Sequence, residues 1–296
     1  MQSRSPLRAV VRGILLALLF LVVLIAVWEG AKALGGDPWR FNDAAGNETV
    51  YTPPFKWPIV DDLSLPHVWK VWDALNAPVQ RQQEQSLAAY LVGAAFYTGR
   101  EAALGFLFGG LFGLALAAIF VHSRLAERAF MPYIVASQTI PILALAPLIC
   151  LAFGNGLVGI VIVASYLTFF PVTIAELRGL TSPDPRALEL MRSCAASRWT
   201  IFWKLRMPAS LPYLFAALKI AATASIVGAI VGEGNPGGSQ FGLGRAILNF
   251  NEQYISGPEK LWAAIIAAAL LGLAFFVVVR LLELFTLRGR PTAAVG

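Results

Sequence analysis

The sequence predicts an all-α, polytopic membrane protein with six transmembrane helices. Three observations lead there. Charged residues make up 14% of the 296-residue chain, where a soluble domain carries about 25%. Hydrophobic residues make up 57%, with a mean hydropathy of +0.67. The apolar residues also gather in runs close to the ~20 that cross a hydrocarbon core. A lone strand cannot satisfy its backbone in lipid, so each run is predicted to be a helix.

The predicted spans are 13–34, 102–121, 131–153, 157–177, 212–232 and 261–284. The first follows Arg4, Arg8 and Arg12 and ends in Trp28-Glu29 with no small-residue cleavage site close behind, so it is expected to stay as an uncleaved span. The second carries Gly105, Gly109, Gly110 and Gly113, which permit close helix approach. Ser137, Gln138 and Thr139 open the third, which also holds Pro141 and Pro147. Ser165 and Thr168 precede Pro171 in the fourth. Lys219, Thr223 and Ser225 lie in the fifth, which Glu233 ends.

Basic residues set the orientation. The N-terminal tail, the 122–130 loop (Arg124, Arg128), the 178–211 loop (Arg178, Arg186, Arg192, Arg198, Lys204, Arg206) and the C-terminal tail (Arg288, Arg290) fall on one side of a six-span arrangement. The other side receives the acidic 35–101 segment, Gly154-Asn155-Gly156 and 233–260. Lys and Arg collect in cytoplasmic loops, so both termini are expected in the cytoplasm. The expected divisions are 1–35, a cytoplasmic tail with the first span; 36–101, an extracytoplasmic segment; 102–284, a core containing the 178–211 loop; and 285–296, a cytoplasmic tail. Within 35–101, Val68, Trp69, Val71, Trp72 and Leu75 suit one face of a short interfacial helix, and 86–99 suits a helix leading into the second span.

Several classes are excluded. The net charge of +6 is accounted for by the cytoplasmic loops, and no nucleic-acid motif is present. Cys150 and Cys194 are expected at different levels and unpaired. With two histidines and no ligand spacing, no metal site is expected. No Gly-x-x-x-x-Gly-Lys-Ser/Thr run exists, and the glycines of 234–244 lack the following lysine, so no nucleotide is expected to bind this chain; that stretch suits a flexible extracytoplasmic loop.

The informative stretch is Ser182–Pro212. Asp184 suits an N-cap and Pro185 a first helical position. Leu188, Met191, Ala195, Trp199 and Phe202 recur at helical spacing, which predicts an amphipathic helix over 185–203 with a break at Pro208. Glu189 stands three residues from both Arg186 and Arg192, close enough to pair. By itself such a helix also suits a basic surface lying on anionic lipid.

These positions resemble the cytoplasmic signature of permease subunits of binding-protein-dependent ABC importers: Glu-Ala-Ala, three residues, Gly, nine residues, Ile, one residue, Leu-Pro. Here they hold Glu189-Leu190-Met191, Ala195, Leu205, Met207 and Pro208. Ala195 departs from the glycine, and the two residues after Glu189 are larger than alanine. Gln138-Thr139-Ile140-Pro141, Ala146-Pro147-Leu148, Phe153-Gly154, Phe170-Pro171 and Gly228–Glu233 extend the resemblance to the nitrate, sulfonate, taurine and bicarbonate branch, with similar permeases assigned to thiamine-pyrimidine or riboflavin uptake.

The resemblance implies a type I ABC importer permease fold in a bacterial inner membrane, with no enzyme activity of its own. It implies a coupling helix that docks on a cytosolic ATPase through Asp184, Glu189, Met191, Arg192, Ala195, Ser197, Arg198, Trp199 and Pro208. ATP-Mg would bind that partner, an extracytoplasmic binding protein would deliver the solute, and a second permease copy would complete a homodimer. Gln138, Thr139, Ser165, Thr168, Lys219 and Thr223 are candidates for the translocation path, with interhelical contacts as the alternative role. A small organic solute, such as a vitamin precursor or a sulfonate, is the expected cargo. The competing class is an ion-coupled secondary transporter, against which stands the expectation that no Asp or Glu lies at the centre of a span.

Overall fold

The long apolar runs become long helices. The computed structural model describes residues 6–42, 48–79, 84–154 and 156–287; Arg4, Asp43, Asn155, Arg288 and Arg290 lie outside the described residues. The described elements are α1 (Pro6–Gly35), β1 (Trp39–Asn42), β2 (Glu48–Tyr51), α2 (Val68–Asn76), α3 (Leu87–His122), α4 (Arg124–Ser137), α5 (Ile142–Ala152), α6 (Leu157–Thr181), α7 (Pro185–Ser193), α8 (Arg198–Ile201), a π turn (Phe202–Arg206), α9 (Met207–Gly234), α10 (Leu243–Glu252), a 3-10 turn (Tyr254–Ser256) and α11 (Pro258–Thr286). They group into two compact units, residues 1–88 with 249–263 and residues 89–248 with 264–296.

The first unit is built on buried charge. Lys32 of α1 is fully buried, and its ammonium donates to Asp62 Oδ1 at 2.7 Å and to the Leu65 carbonyl at 2.6 Å. Glu29, one turn earlier, accepts from the Val68 backbone N–H at 2.8 Å and contacts His67 Nδ1 at 2.8 Å. A carboxylate thus caps the N-terminus of α2, where unpaired N–H groups favour negative charge. The His67 ring stacks on Trp69 at 3.9 Å, and Trp39 meets both edge-on. Trp262 donates to the Ser64 carbonyl at 3.2 Å and packs on Trp28. Burial pushes the Asp62 carboxyl up, but Lys32 and Lys70 outweigh it and hold the group below its ordinary value. Burial pushes the His67 imidazole down, against the opposing influence of Glu29. Trp39–Asn42 pairs antiparallel with Glu48–Tyr51 as a small two-stranded sheet, and α2 forms where an interfacial helix was expected.

In the second unit the most extensive helix contact joins α6 to α9. Small residues make it possible. A Cβ on Gly228 would stand 2.7 Å from Ala164 Cα, and one on Gly179 would stand 2.9 Å from Ser210 Cα, so the two backbones touch where glycine sits. Cys150, Ile160, Val163, Ile226 and Ala229 form the core around this contact. Cys150 is buried and Cys194 exposed, and both are free.

Among the described residues, four helical stretches are long and apolar enough to cross a membrane: 87–122, 157–181, 198–234 and 258–286. The predicted first span falls within α1. The predicted 131–153 span is not one straight helix. α4 and α5 meet at 99°, and together they make at most a fifth span. Pro141 explains the bend: it lacks an N–H and disfavours helical backbone at Ile140, so α4 ends at Ser137 and α5 restarts after Pro141. The helix expected over 86–99 runs directly into the second span as α3, helical from Leu87.

The 178–211 loop is shorter than predicted. α6 continues to Thr181, and helix resumes at Arg198, which leaves α7 alone between them. The single helix expected over 185–203 is broken at Ala195, whose φ is +55°. The expected break at Pro208 does not occur. The proline ring would clash with the carbonyl four residues back, and the wide π turn over 202–206 lets the helix run on past it into α9.

Candidate functional site

Helix α7 is held from both ends and buries none of its residues. Asp184 accepts from the Arg186 backbone N–H at 2.8 Å, as a capping residue should, and Pro185 occupies the first turn. At the other end the Ala196 N–H donates to the Met191 carbonyl at 3.0 Å and the Ala195 N–H to the Arg192 carbonyl at 2.9 Å. This is the Schellman arrangement, whose left-handed residue is usually glycine. Ala195, at the glycine position of the signature, occupies it. Ser197 then caps α8, accepting from the Thr200 N–H at 3.1 Å.

The exposed side chains of this segment form a surface. Glu189 is exposed, and no ion pair to Arg186 or Arg192 forms among the described residues, contrary to the pairing expected from spacing. Leu190 and Trp199 are each 66% exposed. Arg192, Ala195, Ser197, Arg198 and Pro208 are exposed and Met191 half-buried. Trp199 and Phe202 lean on the His122 ring, at 5.6 and 5.0 Å. Behind α7 opens a cavity of about 590 Å³ with four arginines in its wall.

Inside the helices, the structure spreads the path candidates over different settings. Thr139 and Thr223 are exposed, each hydroxyl donating to a carbonyl three residues back. Ser165 and Gln138 are half-buried, and Gln138 Nε2 has no protein acceptor. Thr168 is fully buried; its hydroxyl donates to the Ala164 carbonyl at 2.9 Å, and its Cβ lies against Gly109. Lys219 is paired with Glu283 at 2.8 Å.

Three carboxyl groups stand apart from the path candidates. Glu101, Glu176 and Glu233 are buried within α3, α6 and α9. Glu176 and Glu233 lie near the ends of α6 and α9, and Glu101 lies within α3. Glu176 accepts from Ser210 Oγ at 2.7 Å, which ties α6 to α9. Glu233 accepts from Thr98 Oγ1 at 2.7 Å and from the Gly244 N–H at 2.6 Å, while the Leu243 N–H donates to Thr98 Oγ1 at 2.9 Å. The glycine-rich 234–244 stretch is thereby packed down on Glu233, with Ser239 and Leu243 buried, rather than loose. Gly242, at φ +129°, has no room for a Cβ beside that carboxylate. The signal for these partners was weak, because each lies far along the chain on another helix.

A mainly helical, polytopic membrane chain whose exposed short helix bears the importer signature is the membrane component of a transport system. The chain belongs to the family described as "Binding-protein-dependent transport system inner membrane component", which matches residues 109–286. It is 35% identical over 193 residues to the formylaminopyrimidine transport permease protein ThiX of Halalkalibacterium halodurans, covering 64% of this chain and 76% of that one. It is 35% identical over 167 residues to the riboflavin transport system permease protein RibX of Chloroflexus aurantiacus, covering 56% and 61%. The putative aliphatic sulfonates transport permease protein SsuC of Bacillus subtilis is 30% identical over 208 residues, covering 70% and 74%. In fold the chain is similar to a chain of the MetNI methionine ABC transporter in an inward-facing form, with a TM-score of 0.53 and 18% identity over 66% of this chain and 97% of that one. It is thus an ABC importer permease of the cytoplasmic membrane, not itself catalytic. Membership implies an ATPase and a substrate-binding protein as partners.

Proposed function

We propose that the chain works as a homodimer of six-span subunits in a bacterial inner membrane, with both termini cytoplasmic, α1 supplying the first span and the α4–α5 pair the third. In this reading α7 is the coupling helix. Asp184 and the turn at Ala195 fix its ends, and Glu189, Met191, Arg192, Ser197, Arg198, Trp199 and Pro208 form or frame the face that meets the ATPase. The observation that carries the reading is an exposed helix with nothing buried, held rigidly by caps at both ends, inside the matched family region. One such helix per chain serves one ATPase, so two ATPase subunits call for two permease copies.

Gln138, Thr139, Ser165, Thr168, Lys219 and Thr223 are proposed for the path or its immediate support. Lys219 acts through its pair with Glu283 rather than as an open cation. A path with its lysine neutralised suits a small organic solute better than a bare oxyanion. The similarity to permeases named for formylaminopyrimidine and riboflavin favours a vitamin precursor, with an aliphatic sulfonate as the second choice.

The test is co-purification. The tagged chain, expressed with its genomic neighbours, should retain a P-loop ATPase that Glu189→Arg loses while the permease stays monodisperse. If both variants behave alike, α7 is not the docking helix. Ligand screening of the co-purified binding protein against an aminopyrimidine and taurine then decides the cargo.

A further inference from the structure

The cavity behind α7 holds a concentration of positive charge that the fold itself does not require. Arg124, Arg192, Arg198 and Arg206 line it together with His122, and no Asp or Glu is among the lining residues. The arginines come from four elements: the start of α4, the last turn of α7, the start of α8 and the end of the π turn. A cleft lined by one sign of charge focuses its potential on a counter-ion. Helix electrostatics accounts for part of the set only. Arg192 stands in a last turn, where a cation is favourable, but Arg124 and Arg198 open their helices, where the dipole opposes a cation. Arg206 is anchored, its Nη1 donating to the Leu180 carbonyl at 2.8 Å.

The chemistry matches a phosphoryl group. Guanidinium groups bind phosphate oxygens in paired, charge-assisted hydrogen bonds, and several guanidiniums suit an anion with several oxygens. At about 590 Å³ the cavity is far larger than a single ion needs and lies in the range of small-molecule sites. Exposed apolar residues follow two of these arginines in sequence: Leu125, after Arg124, is 80% exposed, and Trp199, after Arg198, is 66% exposed. Exposed tryptophan beside arginine is the composition of a membrane–water boundary.

We infer that the cavity framed by the end of α3, the start of α4, α7, α8 and the π turn binds the phosphoryl headgroup of an anionic lipid. The inference rests on the cytosolic placement of α7 proposed above but not on ATPase docking. The bound headgroup neutralises the arginines and seats the base of α7 on the bilayer surface.

Native mass spectrometry of the purified full-length chain tests it, with phosphatidylglycerol and phosphatidylcholine of matched acyl chains. Phosphatidylglycerol should be retained over phosphatidylcholine. Arg192→Gln with Arg198→Gln should weaken that retention about tenfold or more, the change expected from losing one charge-assisted hydrogen bond. Arg192→Lys should weaken it less, and Arg178→Gln, on the exposed end of α6, should leave it unchanged. Equal retention of the two lipids, or equal loss in Arg178→Gln, overturns the inference. Competition by inorganic phosphate would keep the phosphoryl site but assign it a soluble carrier; its absence assigns the lipid. Glu189→Arg should leave lipid retention intact, which separates failure here from failure of the coupling reading.

Discussion

Ala195 sits in left-handed backbone that costs a non-glycine residue about 1–2 kcal/mol, and it does so because the turn after α7 needs that geometry. Ala195→Gly should relieve the strain, less about 0.5–1 kcal/mol for the extra freedom of glycine in the unfolded chain. The expected outcome is a modest rise in the thermal midpoint of the detergent-solubilised protein, while Ala195→Val lowers it. A fall with glycine would show that the turn is not strained. Asp184, Pro185 and Ala195 were legible in the sequence because caps and turns are local chemistry. The partners of Glu176 and Glu233 were not. Ser210 is 34 residues from Glu176 and Thr98 is 135 from Glu233, and no periodicity within one helix reveals a partner on another.

At the scale of elements, the packing around α2 depends on the charge states of two side chains. The folded His67 imidazole lies below its ordinary 6.5, so as pH falls below about 6.5 the unfolded chain takes up a proton first and the folded form loses stability. Asp62 lies below its ordinary 3.8, so its contribution is complete above that value and is lost as pH falls further. Glu29, Lys32 and Lys70 face these two groups and set the local field. The tryptophan fluorescence of this unit should therefore report loosening in two stages on acidification, and His67→Gln should abolish the upper stage. A flat response between pH 7 and 5 would overturn the assignment. Helix existence was legible throughout, since long apolar runs permit little else in lipid. Boundaries were not: Pro141 bends its segment sharply and Pro208 does not break its own, and the difference lies in whether a π turn forms ahead of the ring.

For the whole molecule, the family was legible because Glu189, Pro208 and the stretches near Gln138 and Gly228 keep their order and spacing across most of the chain. Three glutamates are buried among the helices. Two of them are occupied by hydrogen bonds that join helices, Glu176 with Ser210 and Glu233 with Thr98. Uptake in proteoliposomes containing permease, ATPase and binding protein should thus require ATP on the ATPase side and persist when ionophores collapse proton and sodium gradients. Uptake that follows the gradient and ignores ATP would move the ion-coupled reading to the front.

The helix from Arg198 to Gly234 continues without a break for 37 residues, a length of about 55 Å at the rise of an α-helix. Such a rod acts as a stiff spoke. Its near end leaves the turn after α7, and its far end carries Glu233, which is knotted to Thr98 and the start of α10. Displacement at one end has little slack in which to dissipate, apart from the single wide turn at 202–206. A tug of an ångström at the α7 end would reach the Glu233 end as a tilt of the whole spoke, the geometry of a crank rather than a hinge.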